Sequence, residues 1–154
     1  MKTVMLVLKS GGDFHFKDVE LLARKIHEHW TSEEQVQVYC LFDKIEAETA
    51  LKNVILVPMT YKDWPGWWSK MNLFSPDLSH LRPFLFFDLD TAIVGDISYL
   101  FDKVGNQFVT LEDFYRPKVD ATGMVFVPSE DERMDKIWRD WLVNPALHMK
   151  NNRG

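Results

Sequence analysis

Two aspartates one residue apart, Asp88-Leu89-Asp90, follow an apolar run from Pro83 to Phe87. A run so rich in Phe and bounded by charge predicts a buried central strand of an α/β sheet. Side chains alternate along a strand, so Asp88 and Asp90 are predicted to share one face, with Leu89 on the other. Two carboxylates that close repel, and a proton or a cation must offset the repulsion. Ligands of open α/β sheets bind at the carboxyl ends of strands. A divalent-metal site is therefore the leading reading. The plainer one is that acidic residues end a strand where the chain meets water. For an Asp-x-Asp taken alone the two weigh about evenly.

Two other stretches could serve such a site. In Trp64-Pro65-Gly66-Trp67-Trp68-Ser69-Lys70-Met71-Asn72-Leu73-Phe74, Pro-Gly sets a turn and Trp67 can open a short helix. Helical spacing would then put Trp67, Met71 and Phe74 on one face, with Lys70 beside them. Lys70 could reach phosphate oxygens as a point charge, or it could be a packing lysine with its head in water. Lys9-Ser10-Gly11-Gly12-Asp13-Phe14 follows the first apolar run. Two glycines let a backbone bend tightly and a ligand come close. The dinucleotide fingerprint G-x-G-x-x-G is absent, and Gly-Gly by itself favours an ordinary turn.

The elements that must hold these residues can be read in order. Thr3 to Leu8 is a first strand. Val19, Leu22, Ala23, Ile26 and Trp30 recur at helical spacing and predict an amphipathic helix over Asp18 to Trp30, with His27 and His29 off its stripe in solvent. Gln37 to Phe42 reads as a second strand ending at Asp43, and after a short helix Val54 to Val57 reads as a third, closed by Pro58. This order predicts a mostly parallel sheet with right-handed crossovers. A short helix capped by Asp96 is predicted over Asp96 to Phe101. Strands over Phe108 to Leu111 and Gly123 to Val127 follow. Ser129 with Glu132 makes a capping box for a last helix. Its stripe of Met134, Ile137, Trp138, Trp141 and Leu142 reads as core, and Asn144-Pro145 ends it.

The bulk properties set bounds. At 154 residues the chain is one domain by length. A chain this long can bury roughly 68–70% of its unfolded surface. A net charge of −5 gives no basic surface for nucleic acid. The single cysteine, Cys40, lies in an apolar run. It predicts a buried thiol in a reducing compartment, hence a cytoplasmic chain. No stretch is long enough to span a membrane, and Val4 to Leu8 is too short for a signal-peptide core.

A resemblance gathers these features. Phe86 to Phe101, FFDLDTAIVGDISYLF, resembles the D-x-D strand and following segment of GT-A glycosyltransferases. It is similar to the glycogenin-like and LPS galactosyltransferase-like branch, and closer still to its small bacterial and phage members. GWWSKMNLF (Gly66 to Phe74) resembles the segment before that strand, and VTLEDFYRP and GMVFVPS resemble what comes after it. The pairing of GWWSKM with DLDT at this spacing is specific, and the likeness covers nearly the whole chain. It implies a Rossmann-like αβα sandwich and hexosyl transfer from a nucleotide-diphosphate sugar, a UDP-sugar above all. The acceptor, a glycan, lipid or protein, and the stereochemical outcome, retention included, stay open. The resemblance implies Mn²⁺ or Mg²⁺ on Asp88 and Asp90, where hard oxygen ligands suit those ions. It implies Lys70 at the phosphates, and Lys9, Ser10, Gly11, Gly12 and Asp43 around base and ribose. Leu89, Asp113, Thr122 and Gly123 are implied as further donor-binding residues. Where that branch carries an Asn-Ser-Gly type turn, this chain reads Asp120-Ala121-Thr122-Gly123, so the sugar is not named.

Two rivals stand beside this reading. A haloacid-dehalogenase-type phosphatase also carries D-x-D after an apolar strand, but there one residue separates the second Asp from a Thr. Here Thr91 follows Asp90 directly. A nucleotide-sugar-binding module without turnover would keep the Asp pair and Lys70. The resemblance further implies that relatives continue past the last helix into an Asp-Gln type segment and a His-bearing stretch completing the metal site. The expectation is thus a donor-binding domain lacking its acceptor side, at most a slow hydrolase unless another chain or a dimer partner supplies the missing wall.

Overall fold

The computed structural model describes residues 1–45 and 51–152. Six strands form one sheet: β1 (Lys2–Leu8), β2 (Val36–Phe42), β3 (Val54–Pro58), β4 (Phe84–Phe87), β5 (Val109–Glu112) and β6 (Asp120–Val127). Their order across the sheet is β3-β2-β1-β4-β6-β5. β3, β2, β1 and β4 run parallel, whereas β6 is antiparallel to both β4 and β5. The mostly parallel α/β sheet read from the sequence is therefore present, with an antiparallel edge. The short helix expected between β2 and β3 falls partly outside the described residues.

Period-2 alternation divides the sheet into two apolar faces. Val4, Leu6, Val38, Cys40, Leu85 and Phe87 face α1 (Phe16–Glu28), which returns Val19, Leu22, Ala23 and Ile26. Met5, Leu41, Phe84, Phe86, Val125 and Val127 face the other way, against Met59, Leu73, Leu78 and Met134. Because both faces are covered, the central strands read as unbroken apolar runs. Burial pushes the Cys40 thiol up to about 12, as its place in such a run implies. His27 is not the solvated residue expected: its Nε2 is closed off from solvent and has no hydrogen-bond partner among the described residues.

Several boundaries differ from expectation for local reasons. Gly66–Phe74 is a 3₁₀ helix, followed by a second at Pro76–Leu81. With three residues per turn, i and i+3 align. Ser69, Asn72 and Ser75 thus form the buried row. Trp67, Met71 and Phe74 do not share a buried face, and Trp67 is 60% exposed. Asn72 makes the 3₁₀ turn specific: its Oδ1 accepts from the Tyr61 backbone N–H at 3.0 Å, and its Nδ2 donates to the carbonyls of Tyr61 and Ser69. The short helix after β4, α2, covers Tyr99–Val104 and begins at Ser98. Asp96 instead closes a turn by accepting from the Ser98 backbone and hydroxyl. The helix after β6, α3 (Glu132–Val143), is capped by Asp131 and not Ser129, because the Asp131 carboxylate accepts from the Arg133 backbone N–H at 2.8 Å. Leu142 of its stripe is exposed. Asn144 ends α3 and at once caps α4 (Pro145–Asn151), accepting from the Leu147 backbone N–H.

Among the described residues no helix is long and apolar enough to cross a membrane.

Candidate functional site

The strand order builds the site. From β1 the sheet grows outward through β2 and β3, then reverses and places β4 on the other side of β1. A crevice opens outside the carboxyl ends of two strands whose connections leave in opposite directions. At that point lies a cavity of about 470 Å³, lined by Lys9 to Phe14 after β1, Asp88 to Asp90 after β4, and Gly66, Trp67, Ser69 and Lys70 of the first 3₁₀ helix. Of the residues singled out by sequence, Lys9, Ser10, Gly11, Gly12, Lys70, Asp88, Leu89 and Asp90 meet here.

Strand parity carries through the first part of the acidic pair. Asp88 continues the Phe84–Phe86 face, while Leu89 packs with the α1 side. Strand pairing ends at Phe87, however, and Asp88 to Thr91 is a turn, with the Thr91 N–H bonded to the Asp88 carbonyl at 3.0 Å. Alternation alone therefore does not align Asp90 with Asp88; the turn brings both to one cavity. The cation beside Asp88 is Lys70. Its Nζ stands 2.5 Å from Oδ1 and 2.7 Å from Oδ2, and 5.6 Å from the centre of the Phe86 ring. Both side chains are largely shielded, at 23% and 27% exposure. Such a pair is screened far less than one on the open surface. Gly123 lies opposite in the sheet and its carbonyl accepts from the Asp88 N–H at 2.9 Å.

Asp43, at the end of β2, does not line the cavity; it fastens the loop that does. Its carboxylate accepts from the Ser10 N–H at 2.8 Å and from the Ser10 hydroxyl at 2.6 Å, and pairs with the Lys9 ammonium at 3.0 Å. Burial pushes the Asp43 carboxyl up, but the bonds from Ser10 and the Lys9 charge outweigh that and hold it at about 2. Lys9 also donates to the Lys62 carbonyl. With the loop start pinned, Gly11 adopts φ +84°, a backbone region open to glycine. Asp113 has a similar local role in the β5–β6 hairpin, accepting from the Tyr115 and Arg116 backbone N–H groups and the Arg116 guanidinium. Those bonds, led by the Tyr115 N–H, hold its carboxyl below the ordinary range. It lines neither cavity described here.

A second cavity of about 630 Å³ adjoins the first, and Trp67 and Lys70 line both. Its wall includes Thr122, Asp120 and Phe86 of the sheet, Trp68 and Met71 of the 3₁₀ helix, and Ile137, Asp140, Trp141 and His148 from α3 and α4. Trp141, read from the sequence as core, is buried at 3% exposure. Its ring also stacks with Trp68 (5.4 Å, 17°) and with His148 (5.9 Å, 26°) on this wall. The density of Trp in the 64–68 and 138–141 segments was the available signal, but helical periodicity absorbed it as ordinary packing.

The chemistry of the donor set suits a hard divalent ion. Asp88 and Asp90 offer carboxylate oxygens into one cavity, and Mg²⁺-like ions are commonly held by one or two carboxylates plus water and substrate phosphates. Among the described residues, no group of three or more His, Cys, Asp or Glu side chains could hold a metal by itself. An ion there would depend on ligands from a bound phosphate.

No protein-family model and no curated protein matches the chain. Among solved structures it is similar to the apo-form glycosyltransferase GlyE of Streptococcus pneumoniae TIGR4, with a TM-score of 0.66 and 14% identity over 99% of this chain and 40% of that one. It is also similar to the galactosyltransferase LgtC in complex with donor and acceptor sugar analogs, with a TM-score of 0.63 and 10% identity over 92% of this chain and 64% of that one. An active-site mutant of LgtC matches with a TM-score of 0.57 and 10% identity over 90% and 65% of the two chains. The chain spans less than two thirds of the length of each. At such identity the likeness is one of fold, and the fold is the mixed, mostly parallel α/β sheet of GT-A glycosyltransferases.

Proposed function

We propose that the chain binds a nucleotide-diphosphate sugar, a UDP-sugar by preference, in the first cavity and serves glycosyl transfer of the glycogenin-like kind. The observation that carries this reading is the meeting of three elements at one reversal of strand order: the glycine loop after β1, the acidic turn after β4, and Lys70. The Gly11-Gly12 backbone allows close approach of a flat base or a ribose. Asp43 holds that loop rigid from outside. Lys70 offers a point charge to phosphate oxygens. Trp67, largely exposed, lines both cavities and offers a flat apolar ring at their junction.

Asp88 and Asp90 would hold Mn²⁺ or Mg²⁺. When bound, such an ion offsets the charge that develops on a leaving diphosphate. In the first half of β6, Gly123 lies against Asp88 and Thr122 lines the second cavity beside Lys70, and both fit the donor-sugar side. The second cavity has room for an acceptor next to the donor. The fold likeness supports this reading over the phosphatase one.

Calorimetric titration with UDP and with GDP, in Mn²⁺ and then in EDTA, tests the proposal. UDP is expected to bind in Mn²⁺ and at least about tenfold more weakly in EDTA, one decade being 1.4 kcal/mol. Equal affinity in the two conditions refutes the metal bridge, and no binding in either refutes donor binding itself. A coupled nucleotide-release assay with UDP-sugars then separates transfer or hydrolysis from binding without turnover.

A further inference from the structure

The ammonium of Lys70 sits across the open edge of the Asp88 carboxylate, 2.5 Å from Oδ1 and 2.7 Å from Oδ2. A divalent ion on Asp88 would use the same lone pairs, at about 2.0–2.1 Å for Mg²⁺. Two cations cannot share that edge: their repulsion is only weakly screened where both side chains are mostly shielded from water. The ion can enter only if Lys70 leaves. Lys70 has somewhere to go, since its side chain also lines the second cavity and the Phe86 ring lies beneath its head group. A departing ammonium needs a new anion, however, and the carboxylates that line the two cavities besides Asp88 are Asp13, Asp90, Asp120 and Asp140. Asp90 is the partner a bridging ion would take, Asp140 is already paired with Lys136, and Asp13 and Asp120 are exposed to water, where an ion pair is worth little.

We propose that Lys70 is a built-in competitor for the divalent ion. It holds Asp88 against free metal and hands it over only when a diphosphate arrives to receive the ammonium. Metal and nucleotide then bind cooperatively through Lys70, and by linkage each raises the affinity of the other by the same factor. This rests on the donor-binding reading above, which places metal and diphosphate in one cavity.

The test compares wild type with Lys70→Met, which keeps the length of the side chain without its charge, and Lys70→Arg, which keeps the charge. Mn²⁺ affinity is measured by the electron-paramagnetic signal of free Mn²⁺, with and without UDP. Without nucleotide, Lys70→Met should bind Mn²⁺ about ten- to a hundredfold more tightly than wild type, the worth of a charge-assisted contact. Lys70→Arg should stay near wild type. The factor by which UDP raises Mn²⁺ affinity should fall several-fold in Lys70→Met. In the wild-type chain, the Lys70 Cε methylene resonance should move when Mg²⁺ and UDP are added together and stay in place with Mg²⁺ alone. Unchanged or weaker Mn²⁺ binding by Lys70→Met overturns the proposal, as does a Lys70 resonance unmoved by the ternary mixture. Failure of UDP to bind any variant would sink donor binding, while the nucleotide-free Mn²⁺ comparison would still judge the competition. The resonance measurement also stands should Lys70→Met fold poorly.

Discussion

Asp43→Asn should separate the clamp of the glycine loop from the chemistry of the cavity. In the wild type the Asp43 side chain is 9% exposed and its carboxyl lies at about 2, against an ordinary 3.8. Burial opposes its ionisation, and the Ser10 hydroxyl, the Ser10 backbone N–H and the Lys9 ammonium together more than reverse that. A folded value below the unfolded one means the ionised carboxylate stabilises the native chain. The contribution is present above the unfolded value near 4 and is lost as pH falls through about 2. A depression of this size is worth about 2 kcal/mol at neutral pH. Asparagine keeps an acceptor for the Ser10 N–H but loses the charge facing Lys9. For a domain of this size the loss corresponds to a melting temperature about 4–8 °C lower. Urea unfolding of both proteins at pH 7, 5, 4 and 3 tests the reasoning. Carboxylates far from the site cancel in the difference. The gap should be constant from pH 7 to 5 and shrink to roughly half by pH 3. A gap as large at pH 3 as at pH 7, or none at pH 7, would refute the clamp.

Other perturbations probe the frame around the site. Asn72→Ala removes three hydrogen bonds from a buried amide and should cost at least about 1–3 kcal/mol in chemical denaturation, since Tyr61 is left with unpaired backbone groups; a loss under half of that would show the 3₁₀ turn to be held by its apolar contacts instead. Gly11→Val forces a β-branched residue to φ +84°, so UDP affinity and stability should fall together, the latter by about 1–2 kcal/mol; normal binding would place the nucleotide away from this loop. Cys40, buried and pushed up to about 12, should resist maleimide at pH 8 in the native chain and react once urea unfolds it; fast native labelling would contradict the packing of β2.

The sequence by itself determined the parts whose cause is local. Phe-rich and β-branched runs in β1, β2 and β4 declare buried strands, because a strand covered on both faces needs apolar side chains at every position. The spacing of Val19, Leu22, Ala23 and Ile26 declares α1 for the same reason at another period. The acidic pair, the glycine loop and Lys70 stood out as candidates because charge and glycine are costly near a core unless something uses them, and the fold brings them to one cavity. Other features are set by contacts between distant segments, which no local pattern encodes. The antiparallel insertion of β6 beside β4, and with it Gly123 against Asp88, depends on pairing residues 37 to 43 positions apart along the chain. The 3₁₀ winding of Gly66–Phe74 was missed because Asn72 gains more from bonding Tyr61 and Ser69 than the α-helical period gains from facing Trp67, Met71 and Phe74 inward. The partner of Asp88 was likewise a tertiary matter. Two neighbouring carboxylates say only that a proton or a cation must offset their repulsion; the packing of the 3₁₀ helix over Phe86 decided that, in this fold, Lys70 stands beside Asp88.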